Sequence, residues 1–338
     1  MKNPHSSQFI KGVERLIRPA DVTAISFLNT LTRRLPVQMQ KKLMSNAAKD
    51  TPHMGFVVEP YAFFLCYPII DIQRAQALIP DDYKIIKTKI FSDDEPNYYV
   101  LFGCFTAHTS AFWGSRIEMY VIAEHTKTKM LSWIIVDYDT NTNSFDPAHG
   151  LISGNCSDSV VTTRFDGRVV VDMKRDDGSR RLSVEADITQ GKMNPLDQRL
   201  WLEGNLSIDY GKKLRDNATH SFGLTFHPEE VSYALRIPVD AVSIEHNDWH
   251  ADIIASTPTQ VACFPYAQHF VTDSVPQGKM IRNEAELRAT VDAFGDMHNV
   301  RQFSAQPIKK QIVIGWLIST TLSTAAILFL IIHFIAAH

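Results

Sequence analysis

NYYVLFGCFTAHTSAFWGSRIEMYVIAEHTKTKMLSWIIVDY, residues 97–138, contains three β-rich runs, at 97–105, 115–125 and 130–138. Each is dense in Val, Ile, Tyr, Phe and Trp, the residues that fit a pleated and packed surface. The texture extends in both directions. FVVEPYAFFLCY (56–67) precedes it, and RVVVDM (168–173), RLSVEADI (181–188), RLWLEGNLSIDY (199–210), HSFGLTF (220–226) and TQVACFPYAQHFV (259–271) follow. Asp166-Gly167 and Asp177-Gly178 mark turns between such runs, so hairpins should dominate the connections. The expected class is α+β and mainly antiparallel β. Many strands with few helices argue for a curved sheet closing into a barrel or cone, because closure removes exposed edges.

Two helices interrupt this body. Asp71 is placed to cap a helix with an apolar stripe of Ile72, Ala75, Leu78 and Ile79, stopped by Pro80, and a second should follow Asn283 from Glu284 to Phe294. Ahead of the body, residues 1–50 hold nine Lys or Arg against three acids in a chain whose formal net charge is −3. Phe9, Ile10, Val13, Leu16 and Ile17 recur at helical spacing up to Pro19. Asp21 is expected to cap a second helix with Val22, Ile25, Leu28, Leu31 and Leu35 on its apolar face and Arg33 and Arg34 in its last turn, and a third weak helix should reach about Ala48. Basic amphipathic helices of this kind suit either an anionic leaflet or the surface of the following domain.

IVIGWLISTTLSTAAILFLIIHFIAA, residues 312–337, contains no Asp, Glu, Lys or Arg. As a helix its 26 residues would span roughly 39 Å, against about 30 Å of hydrocarbon core. A single transmembrane anchor is expected, with Lys309 and Lys310 placing the large N-terminal domain in the cytoplasm. Gly315, Ser319 and Ser323 form a small-xxx-small face suited to a homodimer. The division is then 1–50, a basic helical segment; 55–300, the β-rich domain; 301–311, a juxtamembrane linker; and 312–337, the anchor.

Other function classes find little support. A chain without a basic domain beyond its first 50 residues is a poor nucleic-acid binder. Cys66, Cys104, Cys156 and Cys263 form no C-x-x-C pair and read as buried thiols. Asp137, Asp139, Asn141 and Asn143 are spaced like a calcium loop, but the required glycine is Thr142 and the terminal glutamate is Ala148. His246 and His250 flank Asp248 without a third ligand nearby in sequence, so neither metal nor cofactor is expected.

The opening FFLCYPIIDIQRAQALIPDDYKI (63–85), followed by NYYVLFGCF and then SRIEMYVIAEHTKTKMLSWIIVDYDTNTNSFDPAHGLISGN (115–155), resembles the acetoacetate decarboxylase-like superfamily over about residues 60–273. The resemblance implies a decarboxylase-like β-barrel or cone. It also implies a lysine pair after the glycine-bearing loop, one member forming a Schiff base with a β-keto acid. The corresponding stretch, His149 to Asp158, has no lysine, and the next one, Lys174, reads as a surface charge. What remains of the implied pocket is Arg116 and Glu118, two apart on one strand and hence on one face. That face is either the pocket, where the pair would bind a carboxylate or move a proton, or the solvent side opposite Ile117 and Met119. Tyr61, Phe63, Trp113, Tyr120 and Trp133 are the expected lining of any cavity.

The leading expectation is a membrane-tethered, decarboxylase-like barrel binding a small apolar or carboxylated metabolite without Schiff-base chemistry. A lyase acting on a keto acid through Arg116 and Glu118, and a ligand-free membrane scaffold, are the alternatives.

Overall fold

The computed structural model describes residues 4–32, 35–44, 53–146, 150–215, 221–273, 281 and 283–337. The three runs of 97–138 form the strands Tyr99–Thr109, Trp113–His125 and Leu131–Thr140, paired antiparallel in that order. Around them, among the described residues, a 12-stranded sheet is built. Ala62–Pro68 and Gly55–Val58 share the other edge of Tyr99–Thr109, and Ile208–Tyr210 adds in parallel to Leu131–Thr140. A second sheet of four strands contains Val160–Thr163, Arg168–Lys174, Arg181–Asp187 and Val242–Asn247, side by side in that order. Its turns include Gly167 and Gly178, at φ +81° and +71°, where a side chain would be strained.

Among the described residues no closed barrel forms. The large sheet runs from an edge at Lys192–Pro195 to one at Gly223–Phe226. Its far side is joined to that second edge by a single antiparallel bridge, Ile208 to Phe222, in place of a continuous ladder. The Lys192–Pro195 edge is a four-residue strand, mostly exposed and bounded by Lys and Pro, a form in which an open edge is tolerated.

Both faces of the long strands are buried. Phe63, Leu65, Tyr67, Val100, Phe102, Cys104, Ile117, Met119 and Val121 face one core, completed by Val169, Val171, Leu182 and Val184 of the four-stranded sheet. Phe64, Cys66, Leu101, Phe105, Tyr120, Ile122, Trp133 and Ile135 face a second core. That second face is covered by helices. Helix α1 (Pro4–Leu16) contributes Phe9, Val13 and Leu16, and α2 (Pro19–Thr32) contributes Ala24, Ile25 and Leu28. After them come α3 (Val37–Met44), α4 (Ile72–Leu78), α5 (Glu284–Phe294) and α6 (Gln306–Ala337).

The cap of α4 is as expected, Asp71 accepting from the N–H groups of Gln73 and Arg74, and Asn283 caps α5 through the Glu286 N–H. Asp21 is different. Because α2 begins at Pro19, Asp21 lies inside its first turn, and its carboxylate instead takes the N–H groups of Ala305 and Gln306 at the start of α6. The apolar faces of α1 and α2 therefore dock on the domain. Arg33, Arg34 and the extension of α3 toward Ala48 lie outside the described residues.

The run RLWLEGNLSIDY departs from expectation. Only Ile208–Tyr210 is strand, while Arg199–Glu203 is a π-helical turn and Gly204–Leu206 a 3-10 turn. Asp197 initiates this helical stretch, its side chain accepting from the Leu200 N–H at 3.0 Å and its carbonyl from the Trp201 N–H at 3.0 Å. Trp201 is thereby folded inward, 1% exposed.

Candidate functional site

Period-two alternation sends Arg116, Glu118 and Tyr120 to one face of the strand Trp113–His125. That face is the helix-covered core, so the pair points inward and not to solvent. The reason is that the sheet is covered twice: Ile117 and Met119 occupy one apolar side, and the opposite side is apolar as well. Arg116 and Glu118 retain 13% and 10% of their side-chain accessibility.

Register supplies the surroundings. Glu118 lies opposite Gly103 on one neighbouring strand and Tyr138 on the other. A Cβ at Gly103 would come within 2.9 Å of Phe64 Cε1 and 3.1 Å of Tyr120 Cε2, so the missing side chain is what admits both rings. Arg116 Nε is ion-paired to Glu118 Oε1, and the Tyr120 hydroxyl donates to the other carboxylate oxygen. The geometry at Nε is that of a close ion pair and not an aligned hydrogen bond. Above the guanidinium, the Tyr138 ring centre lies 4.2 Å from Cζ and that of Phe112 5.4 Å, both within cation–π range.

Beyond Tyr120 the core is a chain of edge-to-face rings. Tyr120 meets Trp133 at 4.9 Å, Trp133 meets Trp201 at 5.2 Å, and Trp201 meets Phe64 at 5.0 Å and Phe264 at 5.2 Å. Both indole N–H groups are satisfied, Trp133 by the Leu200 carbonyl and Trp201 by the Ile90 carbonyl.

The charges follow from burial and proximity. Burial works most strongly against the Arg116 cation, but the Glu118 carboxylate together with Tyr138, Tyr120 and Tyr210 outweighs it, and the guanidinium is held above its ordinary range. Burial, reinforced by the Glu118 charge, raises the Tyr120 phenol well above its usual value, so it remains a proton donor at neutral pH. The site therefore presents a fixed cation, a carboxylate and a phenolic donor within an aromatic enclosure.

Of the expected lining residues, Tyr120 and Trp133 share this face. Phe63 lies in the opposite core. Tyr61 occupies a turn at φ +72°, packed against that same opposite core. Trp113 is 39% exposed and lies 3.9 Å, ring centre to ring centre, from His108. The contributions of Phe64, Phe112, Tyr138 and Trp201 were not visible in the linear sequence, because they depend on strand register and on the turn begun by Asp197. His149 lies outside the described residues, and Lys174 is exposed.

A second polar cluster occupies the other core. Asp137, 3% exposed, meets Arg180 Nη1 at 2.7 Å, Lys213 Nζ at 3.3 Å and His250 Nε2 at 3.6 Å, while Asp139 meets Arg175 Nη2 at 2.7 Å and Asn155 Nδ2 at 2.7 Å. These carboxylates neutralise cations brought by the four-stranded sheet, its turns and neighbouring loops. An apolar groove of about 580 Å³, lined by Ile70, Val239, Ile244, Trp249, Ile254 and Pro258, also lies away from Arg116.

Two solved structures are similar to the chain. One is acetoacetate decarboxylase from Legionella pneumophila subsp. pneumophila str. Philadelphia 1, with a TM-score of 0.40 and 13% identity, covering 67% of this chain and 86% of that one. Another acetoacetate decarboxylase structure gives a TM-score of 0.41 and 11% identity over 68% of this chain and 89% of its own. The likeness is distant and concerns the fold. No family model matches the chain, and no curated protein matches it either.

Proposed function

We propose that the chain is a membrane-tethered, decarboxylase-like β domain that binds a small carboxylated metabolite through Arg116. The observation carrying this reading is the permanently charged guanidinium held in an aromatic interior and ion-paired through its Nε side to Glu118. A guanidinium offers five donors in a planar fork, and among the described residues Glu118 is the acidic partner it meets. A ligand carboxylate would match the remaining fork, with its apolar portion against Phe112 and Tyr138. Lys174 is exposed, so this reading proceeds without a Schiff base.

The Tyr120–Glu118 contact favours a second reading, in which the same residues serve a lyase acting on a keto acid. Glu118 would accept or return the proton at the substrate carbon, Arg116 would hold the carboxylate, and Tyr120 would keep Glu118 oriented.

Tethering rests on α6, a helix of 32 residues long and apolar enough to cross a membrane, with none of its most apolar window buried. A core helix of the same composition would be covered. Lys309 and Lys310 at its start would leave the domain on the cytoplasmic side. The face carrying Gly315, where no heavy atom lies within 4 Å of a Cβ position, remains open for a second copy.

The test is calorimetric titration of the full chain in nanodiscs with acetoacetate, a medium-chain fatty acid and the methyl ester of each. Saturable binding of an acid but not its ester, lost in Arg116→Gln, is the expected result. Acid turnover that disappears in Glu118→Gln would select the second reading. If no acid binds, or if Arg116→Gln binds as well as the parent, the site assignment fails and a scaffold role is left.

A further inference from the structure

We propose that Leu31 at the end of α2, with Leu35 and Met39 around the start of α3, seats in the headgroup–acyl boundary of the same leaflet that α6 enters. The inference rests on reading α6 as a membrane span. It assigns a second, separate contact with the lipid surface.

The direction of α2 comes first. At its N-terminal end, Asp21 bonds to Ala305 and Gln306, and six residues later Phe27 lies edge-on to Trp316 at 6.1 Å and under Lys309 Nζ at 5.6 Å. Advancing along α2 therefore advances along α6 as well, so the two helices run parallel. Leu31 lies one turn beyond Phe27, about 6 Å farther in that direction. This brings it to the depth of Trp316, past Ile312, where the uncharged run begins. Leu35 and Met39 follow it in sequence.

The second observation is which side chains are exposed there. Ala24, Ile25 and Leu28 already bury the domain-facing side of α2. Leu31, at that depth, and Leu35 and Met39 after it are nevertheless 36%, 40% and 54% exposed. Apolar side chains left in water there would be unfavourable, whereas interfacial burial would remove them from it.

The third is how these helix ends satisfy their own polar groups. The buried amide of Gln40 donates to the carbonyls of Thr32 and Leu35, at 3.2 and 3.0 Å. The Leu35 N–H also bonds to the Thr32 carbonyl, and those of Met39 and Gln40 to the Pro36 carbonyl. The Thr30 and Thr32 hydroxyls donate to the carbonyls of Ser26 and Leu28. Backbone groups entering a region poor in water must find partners within the chain. The bonds above satisfy the carbonyls of Thr32, Leu35 and Pro36 while Leu31, Leu35 and Met39 stay exposed.

The test uses the full chain in phosphatidylcholine vesicles with one added cysteine bearing an environment-sensitive fluorophore, at Leu35→Cys or Met39→Cys. Ser179→Cys, on an exposed distal turn, reports water, and Leu322→Cys, in α6, reports the span. The four native thiols are buried, which keeps the labelling selective. The expected result is blue-shifted emission at 35, 39 and 322, quenched by acyl-chain-brominated lipid, with 179 unaffected. Quenching at 322 but not at 35 and 39 overturns this inference and leaves the anchor standing. An unquenched 322 removes the anchor and this inference together. A shift at 35 and 39 that vanishes on dilution of protein into lipid assigns these residues to a second copy and also overturns it.

Discussion

Gln306 donates its backbone N–H to the buried carboxylate of Asp21 at 3.0 Å, across 285 positions of sequence. The same oxygen takes the Ala305 N–H at 2.7 Å and the Ser304 hydroxyl at 2.8 Å. One side chain of α2 thus supplies the cap that begins α6, where the unpaired N–H groups and the positive end of the helix dipole favour a carboxylate. The joint between domain and apolar helix is a fixed one. Asp21→Ala should lower stability by about 1–3 kcal/mol through the orphaned amides, and Asp21→Asn, which keeps an acceptor, by less. Urea unfolding in detergent and hydrogen exchange at Ala305 and Gln306 measure this. Unchanged exchange in Asp21→Ala would show that the cap holds nothing.

Gly103 faces the Phe64 and Tyr120 rings, both buried in the helix-covered core. Gly103→Ala should therefore destabilise by about 1–3 kcal/mol, the usual range for overpacking a filled core. The double variant Gly103→Ala, Phe64→Leu should recover part of that loss by withdrawing one ring. If the two substitutions add independently in urea midpoints, the Gly103 gap is not what admits the rings.

Local signals in the chain were legible. Asp71 caps the helix it was expected to cap, α5 follows Asn283 from Glu284 to Phe294, and Gly167 and Gly178 turn the hairpins they mark. That Arg116 and Glu118 share a face also follows from period two alone. Which face is covered does not, because one strand reads the same whether its second side meets water or a layer of helices. Tyr138 reaches Arg116 only in the folded register, which shifts at the bulge between the pairs Met119–Asp137 and Tyr120–Ile135. The cap that Asp21 provides was misplaced for the same reason: its partner amides come from a distant part of the chain.

Asp137 sets an acid limit on stability. Burial alone would raise its carboxyl, yet His250, Arg180 and Lys213 around it hold it well below the ordinary carboxylate range. A group depressed in the folded state contributes stability that is present above its unfolded value, near pH 4, and is lost as pH falls below that toward the folded value. Asp137→Asn should cost about 1.5–3 kcal/mol at neutral pH by leaving its cations without a charged partner. It should also flatten the decline in stability below about pH 4. Urea midpoints taken from pH 7 down to pH 2.5 on both proteins compare the slopes, and parallel slopes would remove Asp137 from the account.

The Arg116–Glu118 pair separates a structural from a functional role by a cycle of substitutions. Arg116→Met leaves a buried carboxylate with the Tyr120 hydroxyl alone, and Glu118→Leu leaves a buried cation with aromatic faces alone. Each single change should cost about 3–5 kcal/mol, because an uncompensated charge remains in the core. The double variant, which removes both charges at similar volume, should recover most of that loss, as apolar replacements of buried pairs often do. Stability would then owe little to the pair itself. A pair that the fold does not need, but that costs desolvation to keep, points to a use in binding. The expected double variant is therefore stable and unable to bind a carboxylate. Losses under about 1 kcal/mol in both single variants would instead mark the pair as solvated, in the manner of exposed ion pairs, and would contradict its place in the core.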